Sequence, residues 1–354
     1  MARLYVRRRV LIISSLVIIL VIVLFQPRKT SHEYQKQPNN NHKETNTDLK
    51  HNLVMFTTWR HRAKKVHARE VVLRNWRHLS PKIQPLIFTK TGVLRDRCLA
   101  ENWLVLPEDE IRCLNKIPTL RGMFNSAMST INSHLYGFSN GDLVFAKDFV
   151  KSIEVILSDE SLKNKPLLIL AKRLNIEYRP YRNTAFAYDD IPRIAKQGEY
   201  PKEGSSDIFI TNKLFPWKRA LELVIGRMGV GMWLSAFARA LNVTLIDVTN
   251  TSTVLHLTTD GNQESLKNID MNCNHDIIKA NNLTCDNFSV GFIDCADHAT
   301  NYKQNGDIRI FKKQYFKSYC FKPAFYRFVD KIKARFSVEL SNNYYEADFS
   351  TKGR

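Results

Sequence analysis

Sixteen consecutive apolar or small residues, Val10 to Phe25, lie directly behind Arg7, Arg8 and Arg9, and nothing else in the 354-residue chain resembles them. A helix rises about 1.5 Å per residue, so the run covers about 24 Å, slightly less than a bilayer's hydrocarbon core. Thin early-secretory membranes and snorkelling arginines close that gap. A cleaved signal peptide is the alternative, but its apolar region is shorter and ends at small residues. Here the run ends in Leu24-Phe25-Gln26-Pro27, so we expect an uncleaved transmembrane anchor at 10–25. Arg3 and Arg7 to Arg9 precede it, against Arg28 and Lys29 after it, which holds residues 1–9 in the cytosol. The expectation is a single-pass type II membrane protein of the Golgi or ER, with its C-terminal domain in the lumen.

Residues 26–51 carry almost no aliphatic side chain and many Asn, Gln, Lys, His and Thr. Such a stretch cannot bury enough surface to offset its ordering entropy and reads as a flexible stem. A folded domain is expected over 52–265, followed by a cysteine-bearing basic extension over 266–354. The formal net charge of +19 would suggest nucleic acid in a cytosolic protein. Lumenal placement removes that partner and leaves anionic lipid, acidic glycans or nucleotide-diphosphate donors. Six cysteines at 98, 113, 273, 285, 295 and 320, an even count on the oxidising side of a membrane, favour disulfides. Cys98 with Cys113 is the natural local pair; the other four allow three pairings. Glycosylation sequons begin at Asn242, Asn250, Asn282 and Asn287.

From residue 53 short apolar runs alternate with helical patterns. Leu53–Thr58, Pro85–Thr89 (closed by Gly92), Trp103–Leu106, Asp142–Ala146 and Leu167–Leu170 read as strands. Ala68–Leu79 reads as a helix, as does the segment after Thr119, whose face is Leu120, Met123, Phe124, Ala127 and Ile131. Asp148 is the expected cap of a helix running to Ser158. Glu177–Ser206 shows no period and reads as a long loop. Asp207–Ile210, a helix over Trp233–Leu241, Val243–Val248 and Thr253–Leu257 follow, and no layer is assigned beyond Cys273. This order predicts an α/β fold with a mixed, mostly parallel sheet covered by helices on both faces. Such sheets bind ligands at the carboxyl ends of their strands.

Asn140-Gly141-Asp142, at a strand edge, suits an enzyme that holds a nucleotide-sugar diphosphate through a divalent metal carried by few protein carboxylates. A plain turn is the competing reading of the same three residues. His256 is either a further metal ligand or a satisfied histidine in a partly buried strand. Arg173, just past a buried strand, and Arg227 are placed to meet anionic groups or to lie at the surface. Asp189-Asp190 forms another acidic pair, or a solvated one. No Ser-His-Asp order, Walker A loop or G-x-G-x-x-G fingerprint is present. That argues against a P-loop or NAD enzyme.

These segments, in this order, resemble glycosyltransferase-like proteins of the GT-A nucleotide-diphospho-sugar transferase fold over about Leu53 to Asp260. The resemblance rests on Phe56-Thr57-Thr58, Asn75-Trp76, Phe88, Pro118-Thr119-Leu120 with Phe124 and Ala127, and Asn140-Gly141-Asp142. Arg173, Asp207-Ile208-Phe209, Ile225-Gly226-Arg227, Trp233-Leu234, Ile246-Asp247 and His256 continue it. It implies a sugar transferred from a nucleotide-diphosphate donor to a glycan or glycoprotein acceptor in the secretory pathway. The donor diphosphate is then expected against Thr57, Asn140, Asp142, Arg173 and Arg227, with Mn²⁺ or Mg²⁺ on Asp142 and His256. Members usually carry an acidic residue just ahead of the tryptophan, where this chain has Gly231-Met232-Trp233. A second histidine is also absent from the segment after His256. An inverting enzyme needs a carboxylate base, so a non-catalytic lumenal protein that binds glycans or a partner enzyme is the alternative.

Overall fold

The computed structural model describes residues 51–59, 65–79, 81–114, 116–178, 188–201, 206–258, 270–283 and 288–350, with side chains to 336. The expected anchor at 10–25, the stem up to residue 50, Cys285 and Asn287 lie outside them. Among the described residues no helix is long and apolar enough to cross a membrane.

The first half of the chain contains strands β1 (His51–Thr58), β2 (Ile83–Phe88), β3 (Leu104–Leu106), β4 (Ile111–Arg112), β5 (Ile117–Pro118), β6 (Ser133–Ser139), β7 (Leu143–Phe145) and β8 (Leu167–Leu170), with helices α1 (Val66–His78), α2 (Gly92–Leu99), α3 (Leu120–Thr130) and α4 (Lys147–Ser158). The second half contains β9 (Leu174–Glu177), β10 (Ile208–Asn212), β11 (Thr244–Asp247), β12 (Val254–Thr258), β13 (His298–Tyr302) and β14 (Ile308–Lys312), with α5 (Ile191–Ala195), α6 (Val230–Ala240), α7 (Cys273–Ala280) and α8 (Pro323–Ser350).

Nine strands form one sheet in the order β14-β13-β11-β8-β10-β6-β1-β2-β3. Only β10 and β14 run against the others. Strands buried on both faces need continuous apolar runs, and β1 is one. Val54 and Phe56 join a core with α3, α6 and α8 (Phe124, Phe237, Phe328). Leu53 and Met55 join a second core with α1 and α4 (Val72, Trp76, Phe149). The expected mixed, mostly parallel sheet with helices on both faces is therefore observed.

A smaller sheet, β7-β12-β9, packs within the second core. Asn75 fixes its edge: its side-chain amide donates to the Phe145 carbonyl at 3.0 Å and accepts from the Phe145 amide at 2.9 Å. Trp76 Nε1 donates to the Leu143 carbonyl at 3.0 Å. The Asn75-Trp76 pair thus holds the strand that follows Asp142.

Several expectations are corrected. Gly92 does not close β2 but opens α2, which buries only Cys98 and shows no apolar stripe to read. Asp148 does not cap α4: Ala146 occupies that position, and the Asp148 carboxylate instead accepts from the Thr253 amide and hydroxyl at 2.9 and 2.6 Å. Thr119 is a true cap, accepting from the Gly122 amide at 3.0 Å, an interaction worth about 1 kcal/mol. The aperiodic stretch after Glu177 includes a 3₁₀ turn at Tyr188–Asp190 and the short helix α5. Residues past Cys273, which had no assigned layer, complete the large sheet with β13 and β14.

The local pairing of Cys98 with Cys113 is overturned. Cys98 is a buried free thiol at the end of α2, pushed up to about 12 by desolvation. Cys113 bonds Cys273 across 160 residues, and Cys295 bonds Cys320. Proximity along the chain is no guide here, because α2 turns Cys98 inward beneath Trp103, whose amide it receives at 3.0 Å.

Candidate functional site

The chain leaves β1, builds β2 and β3 outward on one side, and returns on the other side of β1 as β6. A crevice opens where the strand order reverses, beyond the carboxyl ends of β1 and β6. It forms a cleft of about 380 Å³. Thr57, Asn140, Asp142, Arg173, Arg227 and His256, each singled out from sequence, all line it. Asp189 and Asp190 do not: Asp189 pairs with Lys147 at 2.7 Å and Asp190 with Arg193 at 3.0 Å.

Register explains the meeting of Asp142 with His256. Strand β12 pairs antiparallel with β7, setting His256 opposite Leu143, and parallel with β9, setting it beside Asn175. The Leu257 amide also donates to the Asp142 carbonyl at 2.9 Å. The two side chains then converge, with His256 Nε2 3.4 Å from Asp142 Oδ2. Gly141 is needed for a close approach rather than for its backbone freedom. A Cβ there would fall 1.8 Å from Trp59 Nε1, which donates to the Gly141 carbonyl at 2.9 Å.

Lys65, at the start of α1, sends its ammonium to the same Asp142 oxygen at 2.9 Å. Burial would push the Asp142 carboxyl up, but His256 and Lys65 together hold it well below the usual carboxylate range. On the far side of the imidazole, Arg173 Nη1 lies 2.7 Å from His256 Nδ1, and Asn175 Oδ1 lies 3.1 Å from the same nitrogen. Arg173 also pairs with Asp207 and hydrogen-bonds Asn175. Nδ1 thus has both a donor, the Arg173 guanidinium, and an acceptor, Asn175 Oδ1, within reach, while Nε2 faces Asp142.

This arrangement decides the fit of a divalent metal. Asp142 and His256 are the side chains expected to hold it. Yet Asp142 Oδ2 is already met by the Lys65 ammonium at 2.9 Å, with His256 Nε2 3.4 Å away and the other ring nitrogen turned toward Arg173. Among the described residues, no group of three or more His, Cys, Asp or Glu side chains could hold a metal. With Lys65 on Asp142 Oδ2, that oxygen is not open to a divalent ion as arranged, and no step is assigned to one.

The opposite wall comprises Ile117, Pro118 and the loop Ile225-Gly226-Arg227. Gly226 adopts φ +65°, the left-handed region that glycine enters without penalty. Arg227 grips Asp270 through Nε at 2.9 Å and Nη2 at 2.5 Å, and both side chains are 4 % exposed. Its charge is therefore matched within the wall. The Asn274 side chain receives the Val224 amide at 2.8 Å and donates to the Val224 and Met228 carbonyls at 2.9 and 3.2 Å, pinning the same loop.

Sequence reasoning missed Lys65, Arg69, Lys116 and Glu108, which also line the cleft. The basic run Arg60 to Lys65, directly after the first strand, was the available signal for Lys65. In all, the cleft carries five cationic side chains, Lys65, Arg69, Lys116, Arg173 and Arg227, against the carboxylates Glu108 and Asp142. Set against Glu108, Asp142 and the aspartates that pair with Arg173 and Arg227 behind the lining, Asp207 and Asp270, one positive charge remains in excess, which favours an anion. Glu108 accepts from the Thr58 hydroxyl at 2.8 Å and pairs with no cation among the described residues. The Thr57 hydroxyl is buried without a hydrogen-bond partner among the described residues, at a cost of about 1–3 kcal/mol.

At position 231 the absence of an acidic side chain is built into the packing. A Cβ on Gly231 would meet the Phe209 ring at 2.8 Å and the Ser206 carbonyl at 3.0 Å.

No family model matches the chain, and neither does any curated protein. Among solved structures it is similar to glucosyl-3-phosphoglycerate synthase of Mycobacterium tuberculosis, crystallised with Mg²⁺ and UDP. That likeness has a TM-score of 0.38 and 11 % identity, over 75 % of this chain and 88 % of that one. The mannosyltransferase PcManGT of Pyrobaculum calidifontis, in complex with GDP-mannose and Mn²⁺, gives 0.33 and 12 %, over 64 % and 61 %. A protein of Desulfovibrio desulfuricans G20, described as a nucleotide-diphospho-sugar transferase, gives 0.35 and 9 %, over 66 % and 96 %. TM-scores below 0.5 assign neither fold nor function to this chain.

Proposed function

We propose that this protein is a glycosyltransferase of the GT-A type, moving a sugar from a nucleotide-diphosphate donor to a glycan or glycoprotein acceptor. In this reading Val10–Phe25 anchors it as a type II protein of the Golgi or ER membrane, with the cleft in the lumen. The observation that carries the reading is the cation-rich cleft at the point where the strand order reverses, lined by five basic and two acidic side chains. A diphosphate brings two or more negative charges to a site, and sheet crevices of this kind place it at strand ends. Glu108, free of any cation among the described residues, is the carboxylate available to take a proton from an acceptor hydroxyl.

The non-catalytic alternative draws support from Gly231, where packing against Phe209 leaves no room for the acidic side chain that related proteins carry. One screen separates the two. The full chain in detergent is incubated with a panel of nucleotide sugars, measuring donor binding by calorimetry and donor hydrolysis by product release. Binding with slow hydrolysis is the expected result. Binding with no turnover of any donor, with or without acceptor glycans, rejects the transferase reading, and no donor binding at all rejects it too and selects the non-catalytic one.

A further inference from the structure

Resting on the donor reading of the cleft, we propose that Lys65 is this site's resident cation and that the protein binds nucleoside diphosphate without a divalent metal. In sites of this kind an ion sits between a protein carboxylate and the phosphates. Here the carboxylate that would carry it, Asp142, holds the Lys65 ammonium at 2.9 Å. The second candidate ligand, His256, has Nε2 3.4 Å from that oxygen and its other ring nitrogen engaged by Arg173 at 2.7 Å and Asn175 at 3.1 Å. Asp142 Oδ2 is thus met from two directions by groups of the chain itself.

Lys65 is suited to replace the ion rather than merely to exclude it. An ammonium has three donors, and among the described residues only Asp142 takes one. Its side chain is 18 % exposed and lines the cleft, so the remaining hydrogens can reach phosphate oxygens. Asp142 fixes the flexible lysine stem in place, which lowers the entropy lost when an anion arrives. Arg173 braces the arrangement from behind through Asp207 and His256.

The test is calorimetric titration of the full chain with UDP and with GDP, each in EDTA, in Mn²⁺ and in Mg²⁺. Wild-type affinity should change by less than about threefold among the three conditions. Lys65→Met keeps the stem and removes the charge, and should bind at least about tenfold more weakly in EDTA, the usual range for one charge-assisted contact. Mn²⁺ should restore much of that loss, because the vacated Asp142 oxygen can then take a metal. A residue that only supports the fold would show no such metal response. Lys65→Arg keeps the charge and should stay within about tenfold of wild type in EDTA, with an unchanged melting temperature confirming the fold. Wild-type binding that requires Mn²⁺ or Mg²⁺ overturns the proposal while leaving the donor reading intact. Unweakened binding by Lys65→Met in EDTA overturns it too, and wild type that binds neither nucleotide in any condition overturns both.

Discussion

Each wall of the cleft carries one aspartate held by one cation, and the two pairs do different work. On one wall Lys65 meets Asp142 with 18 % and 14 % of the side chains exposed. On the other Arg227 meets Asp270 with 4 % of each exposed. The sealed pair is surrounded by further fixings: Asn274 bonds the neighbouring carbonyls, and the Cys113–Cys273 bridge ties the adjoining helix to the hairpin beside β5. The open pair lies among groups with bonding capacity to spare, the Thr57 hydroxyl and the Lys65 hydrogens. Buried ion pairs are costly to form and costlier to break, whereas open ones contribute little to stability and remain available to a ligand. We read the Arg227 wall as architecture and the Lys65 wall as the responsive side.

The largest expected effect follows from the sealed pair. Asp270→Ala strands a buried guanidinium and should lower unfolding free energy by about 3–5 kcal/mol. Replacing both partners, as in Arg227→Met with Asp270→Leu, should cost less than the single change, since no unpaired charge remains. Urea titration of the three variants measures this. A loss below about 1 kcal/mol for Asp270→Ala would erase the distinction between the walls.

The bridge beside that pair comes next. Cys113–Cys273 closes a loop of 160 residues, so Cys113→Ser with Cys273→Ser should cost about 2–4 kcal/mol. Cys295–Cys320 closes only 25 residues and should cost less on the same chain-entropy argument. Non-reducing mass mapping checks the pairing first, and Cys98 should react with alkylating reagents only after unfolding. Equal losses for the two bridges would show that loop length is not what matters here.

The same contrast marks what was legible in the sequence. Strands β1, β2 and β8 and helices α1 and α3 declared themselves, because burial on two faces gives unbroken apolar runs and burial on one face gives a helical stripe. Central strand β6 escaped notice although six of its seven residues are buried, because Ser133, Gly137 and Ser139 interrupt its apolar pattern. Gly137 is there for packing: a Cβ would meet Ile210 at 2.8 Å and Met55 at 3.1 Å. Strands β13 and β14 are half solvated and carry no clear signal. Asp142, Arg173 and His256 were nameable because they lie beside or within strands that could be seen, and Arg227 because it follows Ile225-Gly226. Their partners were not, since Lys65 lies 77 residues from Asp142 and Asp270 lies 43 from Arg227. Cysteine pairing across 160 residues was invisible for the same reason.

The smallest expected effect belongs to the open pair and carries a pH signature. Asp142 is ionised in the fold well below the usual carboxylate range, because Lys65 and His256 favour its charged form over the cost of burial. A carboxyl whose folded value is depressed adds stability above its unfolded value, near pH 4, and loses it as the pH falls toward the folded value. Asp142→Asn should therefore cost about 1–2 kcal/mol at pH 7, in keeping with a half-screened charged hydrogen bond. That difference from wild type should be unchanged at pH 5 and should shrink only below about pH 4, as the unfolded chain takes up the proton that folded Asp142 refuses. Urea titrations at pH 7, 5 and 3 measure the gap directly. A gap that closes between pH 7 and 5 would contradict the depressed value assigned to Asp142. A loss as large as that of Asp270→Ala would place the Lys65 wall with the architecture instead.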